Sequence, residues 1–128
     1  MSGKNRPYKI LPSVNMETEN IAPLLWCLDF AIVPHYPVDY FLPGIFTDDE
    51  NALGGGDPGW VWHREKQSDG TYRYYAWTVE DTSYLDPCEG EYDEATVKYH
   101  VRRALENFRQ AHPERNAEVD EVIAKYAL

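Results

Sequence analysis

The clearest pattern of apolar and polar positions lies between Trp60 and Glu80. Side chains of an extended chain alternate between two faces. Trp60 and Trp62 therefore share one face, and Val61 and His63 the other. After Ser68-Asp69-Gly70 the chain returns. Arg73, Tyr75, Trp77 and Val79 then share one face, and Tyr72, Tyr74, Ala76 and Thr78 the opposite one. Gly70 offers the positive φ that tight hairpin turns demand. The pattern predicts a β-hairpin with strands Trp60–Lys66 and Thr71–Glu80.

The period changes after Asp93. Ala95, Val97, Val101, Ala104, Leu105 and Phe108 recur at helical spacing, Asp93 is placed to cap the helix, and His112-Pro113 ends it. Glu94–Lys98 and Arg102–Glu106 are spaced for pairs on its solvent face. A last helix, from about Asn116 to Tyr126, carries Val119, Val122, Ile123 and Tyr126. The short connection makes the two an αα-hairpin, whose apolar stripes need an aromatic sheet to cover.

The N-terminal half is less regular. Residues 1–7 are expected to fray, and Tyr8–Val14 reads as a short strand that Pro12 confines to an edge. From Ile21 to Val33 almost every position is apolar. Leu24, Leu28 and Ile32 fit a helix entered through Thr18 or Asn20 and Pro23, but Trp26–Val33 fits a buried strand as well. Pro34, Pro37 and Pro43 interrupt the next stretch, leaving extended chain with one short strand, Val38–Leu42. Two acidic loops remain. Residues 47–59 end in Gly54-Gly55-Gly56, read as a hinge, and residues 81–94 precede the long helix.

These elements predict one α+β domain spanning residues 1–128. Its small antiparallel sheet is built around the 60–80 hairpin and covered by the C-terminal αα-hairpin and one N-terminal helix.

Charge narrows the partners. The chain has 12 Lys and Arg against 22 Asp and Glu, a net −10. No Lys or Arg occurs between Lys9 and Arg64, or from Tyr74 to Val97. Such a surface repels phosphates and anionic lipid and attracts a basic protein. The apolar stretch from Ile21 to Val33 contains Pro23 and Asp29 and is too short to span a bilayer. With no apolar leader at the start and only Cys27 and Cys88, the expected setting is cytoplasmic, with both thiols reduced.

Each candidate motif of chemistry is incomplete. The glycine run leads into a strand, lacks a following Lys, and sits beside Asp48, Asp49, Glu50 and Asp57, so it is no phosphate cradle. His63-Arg64-Glu65 with Pro87-Cys88 resembles the H-x-E … P-C-x-x-C pattern of zinc deaminases over five residues. Glu91 stands where the second cysteine would fall, and His63 lies in a strand pattern rather than at a helix start. The four histidines and two cysteines have no ligand spacing, and the 47–57 loop lacks the order of a helix-flanked calcium loop. No metal, cofactor or catalytic residue is expected.

The aromatic hairpin is the remaining feature. It lacks the cationic surround of a base-stacking sheet, so direct nucleic-acid binding is not expected. Aromatics ringed by carboxylates have the composition of a protein-binding hot spot. The leading expectation is a non-catalytic acidic protein that neutralises a basic, nucleic-acid-handling partner, as a toxin-immunity protein or a phage anti-defence inhibitor does. Its candidate contact residues are Asp48, Asp49, Glu50, Asp57, Trp60, Tyr72, Tyr74, Glu89, Glu91 and Asp93. The alternatives are a small enzyme with a pocket the motifs do not reveal and a glycan-binding module using exposed Trp and Tyr.

Overall fold

A computed structural model describes residues 20–128, so the expectations for residues 1–7, Tyr8–Val14 and a Thr18 cap lie outside the described residues. In chain order the elements are α1 (Ala22–Ala31), α2 (Pro43–Phe46), β1 (Gly55–Gly56), β2 (Trp60–Lys66), β3 (Tyr72–Thr78), α3 (Glu80–Ser83), β4 (Glu89–Tyr92), α4 (Glu94–Ala111) and α5 (Asn116–Tyr126). A 3₁₀ turn, Pro113–Arg115, joins the last two helices. The strands form an antiparallel sheet in the order β1-β2-β3-β4, an α+β fold built on the expected hairpin.

The hairpin register places Trp60 opposite Thr78 and Trp62 opposite Ala76, and β4 adds Tyr92 opposite Tyr74. All six side chains lie on one face and are buried. α1 lies against β2 and β3 on that face, α4 packs against α1 and β3, and α5 packs on α4. The main cover of the hairpin is therefore α1, with the C-terminal αα-hairpin behind and beside it. This placement also decides the ambiguous stretch in favour of a helix. Leu24, Cys27, Leu28 and Ala31 are buried at helical spacing, and Trp26 and Phe30 are partly buried on the remaining sides. A helix flanked by a sheet and a second helix is apolar on more than one side.

Some local expectations change. Ile21, not Asn20, is the N-cap of α1, and the Asn20 side chain instead donates to the Pro87 carbonyl at 2.7 Å. Val38–Leu42 is not a strand. The Val38 N–H is taken by the Glu118 carboxylate and the Tyr40 N–H by the Pro37 carbonyl, so these donors serve turns rather than a ladder. The second acidic loop contains α3 and β4.

The glycine run is not a hinge. Gly55 and Gly56 form β1, paired with Val61 and Trp60, and the Gly54 carbonyl accepts the Trp62 N–H at 2.8 Å. A Cβ on Gly54 would lie 2.7 Å from the Trp62 carbonyl oxygen. The residue type is required by close approach of two backbones.

The C-terminal half follows its pattern. The Asp93 carboxylate accepts the Thr96 N–H at 2.8 Å as an N-cap. Val97, Val101, Leu105 and Phe108 of α4 and Val119 and Val122 of α5 are buried. Glu94–Lys98 and Arg102–Glu106 pair at 2.8 and 2.9 Å. The 3₁₀ turn fastens the irregular segment: Arg115 donates to the Pro34 carbonyl at 3.0 Å and the Tyr36 carbonyl at 2.9 Å while bound to Glu118. That ion pair holds the Glu118 carboxyl below its usual range.

Gly70 has φ +91°, with open space where a Cβ would project. The cost of Gly70→Val is therefore backbone strain alone, ~1 kcal/mol or more. Thermal unfolding of the variant checks this, and the expected outcome is a melting temperature lowered by several degrees.

Candidate partner-binding face

The helices cover one face of the sheet, and the opposite one presents Val61, His63, Tyr75 and Trp77. Trp77 is 42% exposed and Val61 39%, large values for such side chains at the middle of a sheet. The register sets Val61 against Trp77 and His63 against Tyr75, and the latter rings stack at 5.0 Å with 15° between planes. β4 continues the face by placing Glu91 beside Tyr75 and Glu89 beside Trp77. A concavity of about 610 Å³ runs along β3 and β4, lined by His63, Tyr75, Trp77, Glu89, Glu91 and Asn20 among others.

Charge on this face is unevenly committed. Glu91 pairs with Arg73 at 2.8 Å, and Glu65 with the His63 Nε2 at 3.1 Å. Glu89 has no partner among the described residues. An aromatic floor with a free carboxylate at its edge suits a cationic side chain, which gains both a ring face and a counter-charge.

The structure separates the residues singled out in the sequence. Trp60 and Tyr74 are 3% and 1% exposed and their rings belong to the core, so neither ring can anchor a protein partner. Their strand parity, shared with Trp62 and Ala76, turns them toward α1. Tyr72 is half-buried at the turn end of the hairpin, opposite Lys66, with its ring under the Arg64 guanidinium at 3.8 Å and its hydroxyl donating to Asp48 at 2.8 Å. Asp48 also accepts from Arg64 at 2.9 Å. The Tyr72 hydroxyl, then Arg64, hold the Asp48 carboxyl below the usual range, and the same hydrogen bond raises the Tyr72 hydroxyl. Asp48 is thus an internal tie rather than a free charge. Asp93 is spent as a helix cap.

Asp49 and Glu50 stay exposed on the 47–54 loop, and Asp49 caps the Asn51 N–H at 2.9 Å. Arg64 and Tyr72, which hold Asp48, belong to the covered-face parity, whereas Glu89 and Glu91 project from the open face. The two acidic clusters therefore do not converge. Asp57 lies elsewhere again, beside β1. Only Glu89 and Glu91 of the named residues border the open aromatic face. Tyr75 and Trp77 form its floor, and the same alternation that buries Trp60 and Tyr74 identifies them.

Among the described residues, no group of three or more His, Cys, Asp or Glu is placed to hold a metal ion. His63 and Glu65 sit in β2, not at a helix start as the deaminase pattern requires. No helix of the described residues is long and apolar enough to cross a membrane. No family model, curated protein or solved structure matches this chain.

Cys27 and Cys88 are both free thiols, Cys27 buried and Cys88 half-buried. Burial pushes the Cys27 thiol up from 9.0 to about 12, against the smaller opposing effect of nearby backbone at Trp77 and Val61. The folded protein therefore holds this proton more tightly than the unfolded chain. The associated stability is complete below pH 9.0 and is lost as pH rises toward 12. In native protein near neutral pH, Ellman's reagent should titrate Cys88 and reach Cys27 only after denaturant is added. The time course of absorbance checks this, and rapid reaction of both thiols would contradict the buried placement of Cys27.

Proposed function

We propose that the protein is a non-catalytic acidic binding protein that neutralises a basic, nucleic-acid-handling protein partner. The observation that carries this reading is the aromatic face of β2 and β3 that no helix of the described residues covers, with Glu89 and Glu91 along its rim. Buried contact on Trp77 and Tyr75 supplies the anchor, and Glu89 supplies a counter-charge for Lys or Arg. The net charge of −10 favours long-range attraction to a partner whose own site is shaped for phosphates. Asp49 and Glu50 contribute to that field from a separate loop without joining the face. An immunity protein and an anti-defence inhibitor are the two forms such a blocker takes. Two free thiols fit a reducing, cytoplasmic setting.

The test couples capture from the native host's lysate to competition. The wild-type protein should enrich a basic nucleic-acid-handling protein, and duplex DNA or RNA added in excess should displace it. Trp77→Ala should speed dissociation, and Glu89→Lys with Glu91→Lys should slow association, because rim charges act mainly on the on-rate. Raising salt from about 50 to 500 mM should weaken binding steeply, since the screening length shrinks well below 10 Å. A partner indifferent to salt, to both variants and to nucleic acid would overturn this reading.

A further inference from the structure

A second concavity, of about 470 Å³, lies beside β1, at the opposite edge of the sheet from β4. Its walls are aromatic. Tyr36 and Tyr40 stack at 4.6 Å with 7° between planes, and both remain about two-fifths exposed. Phe41 meets both edge-on, and Trp60 meets Phe41 edge-on at 5.0 Å.

Besides the tyrosine hydroxyls and His35, which lines the concavity and stacks on Tyr36, two polar groups accompany these rings. Trp60 is 3% exposed, but its indole N–H, which has no partner among the described residues, is not among the buried unpartnered atoms and is therefore open to solvent, whereas that of Trp62 donates to the Phe41 carbonyl. Trp60 Nε1 faces Gly56, standing 3.7 Å from where a Cβ on Gly56 would sit, and both residues line the concavity. Asp57 lines it too, and its carboxylate is exposed and without a partner among the described residues.

The walls are fixed from behind. Arg115 holds the Tyr36 carbonyl at 2.9 Å. Asp39, next to Tyr40, accepts from Lys125 and from the Tyr126 hydroxyl, each at 2.6 Å. Exposed aromatic rings on a backbone tied down at these points are pre-organised to bind.

We propose that this concavity binds one pyranose ring of a neutral carbohydrate. The chemistry excludes the other ligand classes in turn. Asp57 opposes a phosphate or carboxylate. A cation would satisfy Asp57 but leave the Trp60 N–H pointing at positive charge. An apolar ligand would bury both polar groups unpaired, which costs more than the contact returns. A sugar ring meets every requirement. Its C–H face packs on a tyrosine ring, its hydroxyls donate to Asp57, and a hydroxyl oxygen accepts from Trp60 Nε1. The volume falls in the range of small-molecule sites, about 300–1,000 Å³. This site lies apart from the β3–β4 face and stands whether or not a protein partner binds there.

The test uses the whole protein labelled with ¹⁵N and the methyl α-glycosides of glucose, galactose and mannose. At least one should shift the Trp60 indole resonance saturably, with Kd in the range of about 1–10 mM. Tyr40→Ala and Asp57→Ala, both surface changes, should each weaken that binding about tenfold while circular dichroism stays native. The tetra-O-methyl form of the same glycoside, which cannot donate to Asp57, should bind at least about tenfold more weakly. Failure of all three glycosides to move the Trp60 resonance overturns the proposal. So does a shift unchanged in both variants, or tighter binding of arginine methyl ester at the same residues.

Discussion

The buried indole of Trp62 joins parts of the molecule that are distant in sequence. Its side chain is 1% exposed, and leaving an indole N–H buried that deeply without an acceptor is costly. It donates to the Phe41 carbonyl at 3.1 Å. That bond holds the proline-broken segment across the face of the sheet. The same ring stands edge-on to Trp60 at 5.4 Å, and Trp60 to Phe41, so one run of aromatic contacts reaches from the sheet to the surface pair of Tyr36 and Tyr40. On its backbone side, Trp62 receives Gly54 so closely that only glycine fits. The irregular segment between α1 and β1, residues 32–54, has no long helix or strand of its own, and it is positioned by these contacts together with the Arg115 and Asp39 ties.

Among the described residues, the helices pack on one face of the sheet and none of them covers the other. Cys27 of α1 comes within 3.8 Å of the Val61 carbonyl and 3.9 Å of the Trp77 carbonyl, so the helix rests directly on the strands. The side chains of Val61 and Trp77 point away from it by strand geometry. An open aromatic face is thus a consequence of where α1 sits, and the acidic rim comes from the pairing of β4 with β3.

The acidic excess is less uniform than its total suggests. Asp48 is tied to Arg64 and Tyr72, Asp93 to a helix N-terminus, Asp39 to Lys125 and Tyr126, and Glu118 to Arg115 and Val38. These carboxylates hold the fold together. Glu50, Asp57 and Glu89 have no partner among the described residues, and they lie in three different places. A count of acids therefore gives the net charge but not which carboxylates are consumed inside the fold.

Hairpin, turn glycine, capped α4 and α5 were all legible in the sequence, because alternation, 3.6-residue periodicity and cap chemistry are properties of neighbouring residues. Even the faces were correct: Trp60 with Trp62, and Tyr75 with Trp77. Which face the helices would take was not written in that pattern, since both carry aromatics. It was decided by α1, whose own identity was ambiguous until flanked by the sheet and α4. The glycine run misled for a related reason. Three glycines look the same in a hinge as in a strand pressed against another backbone, and only the approach of Trp62 distinguishes them. Asp48 and Tyr72 meet across 24 residues, and Glu118 and Val38 across 80. Local sequence determines how each segment curls and which side chains share a side. Which sides meet, and which charges are consumed in meeting, depends on contacts between segments far apart in the chain, and only the tertiary structure decides them.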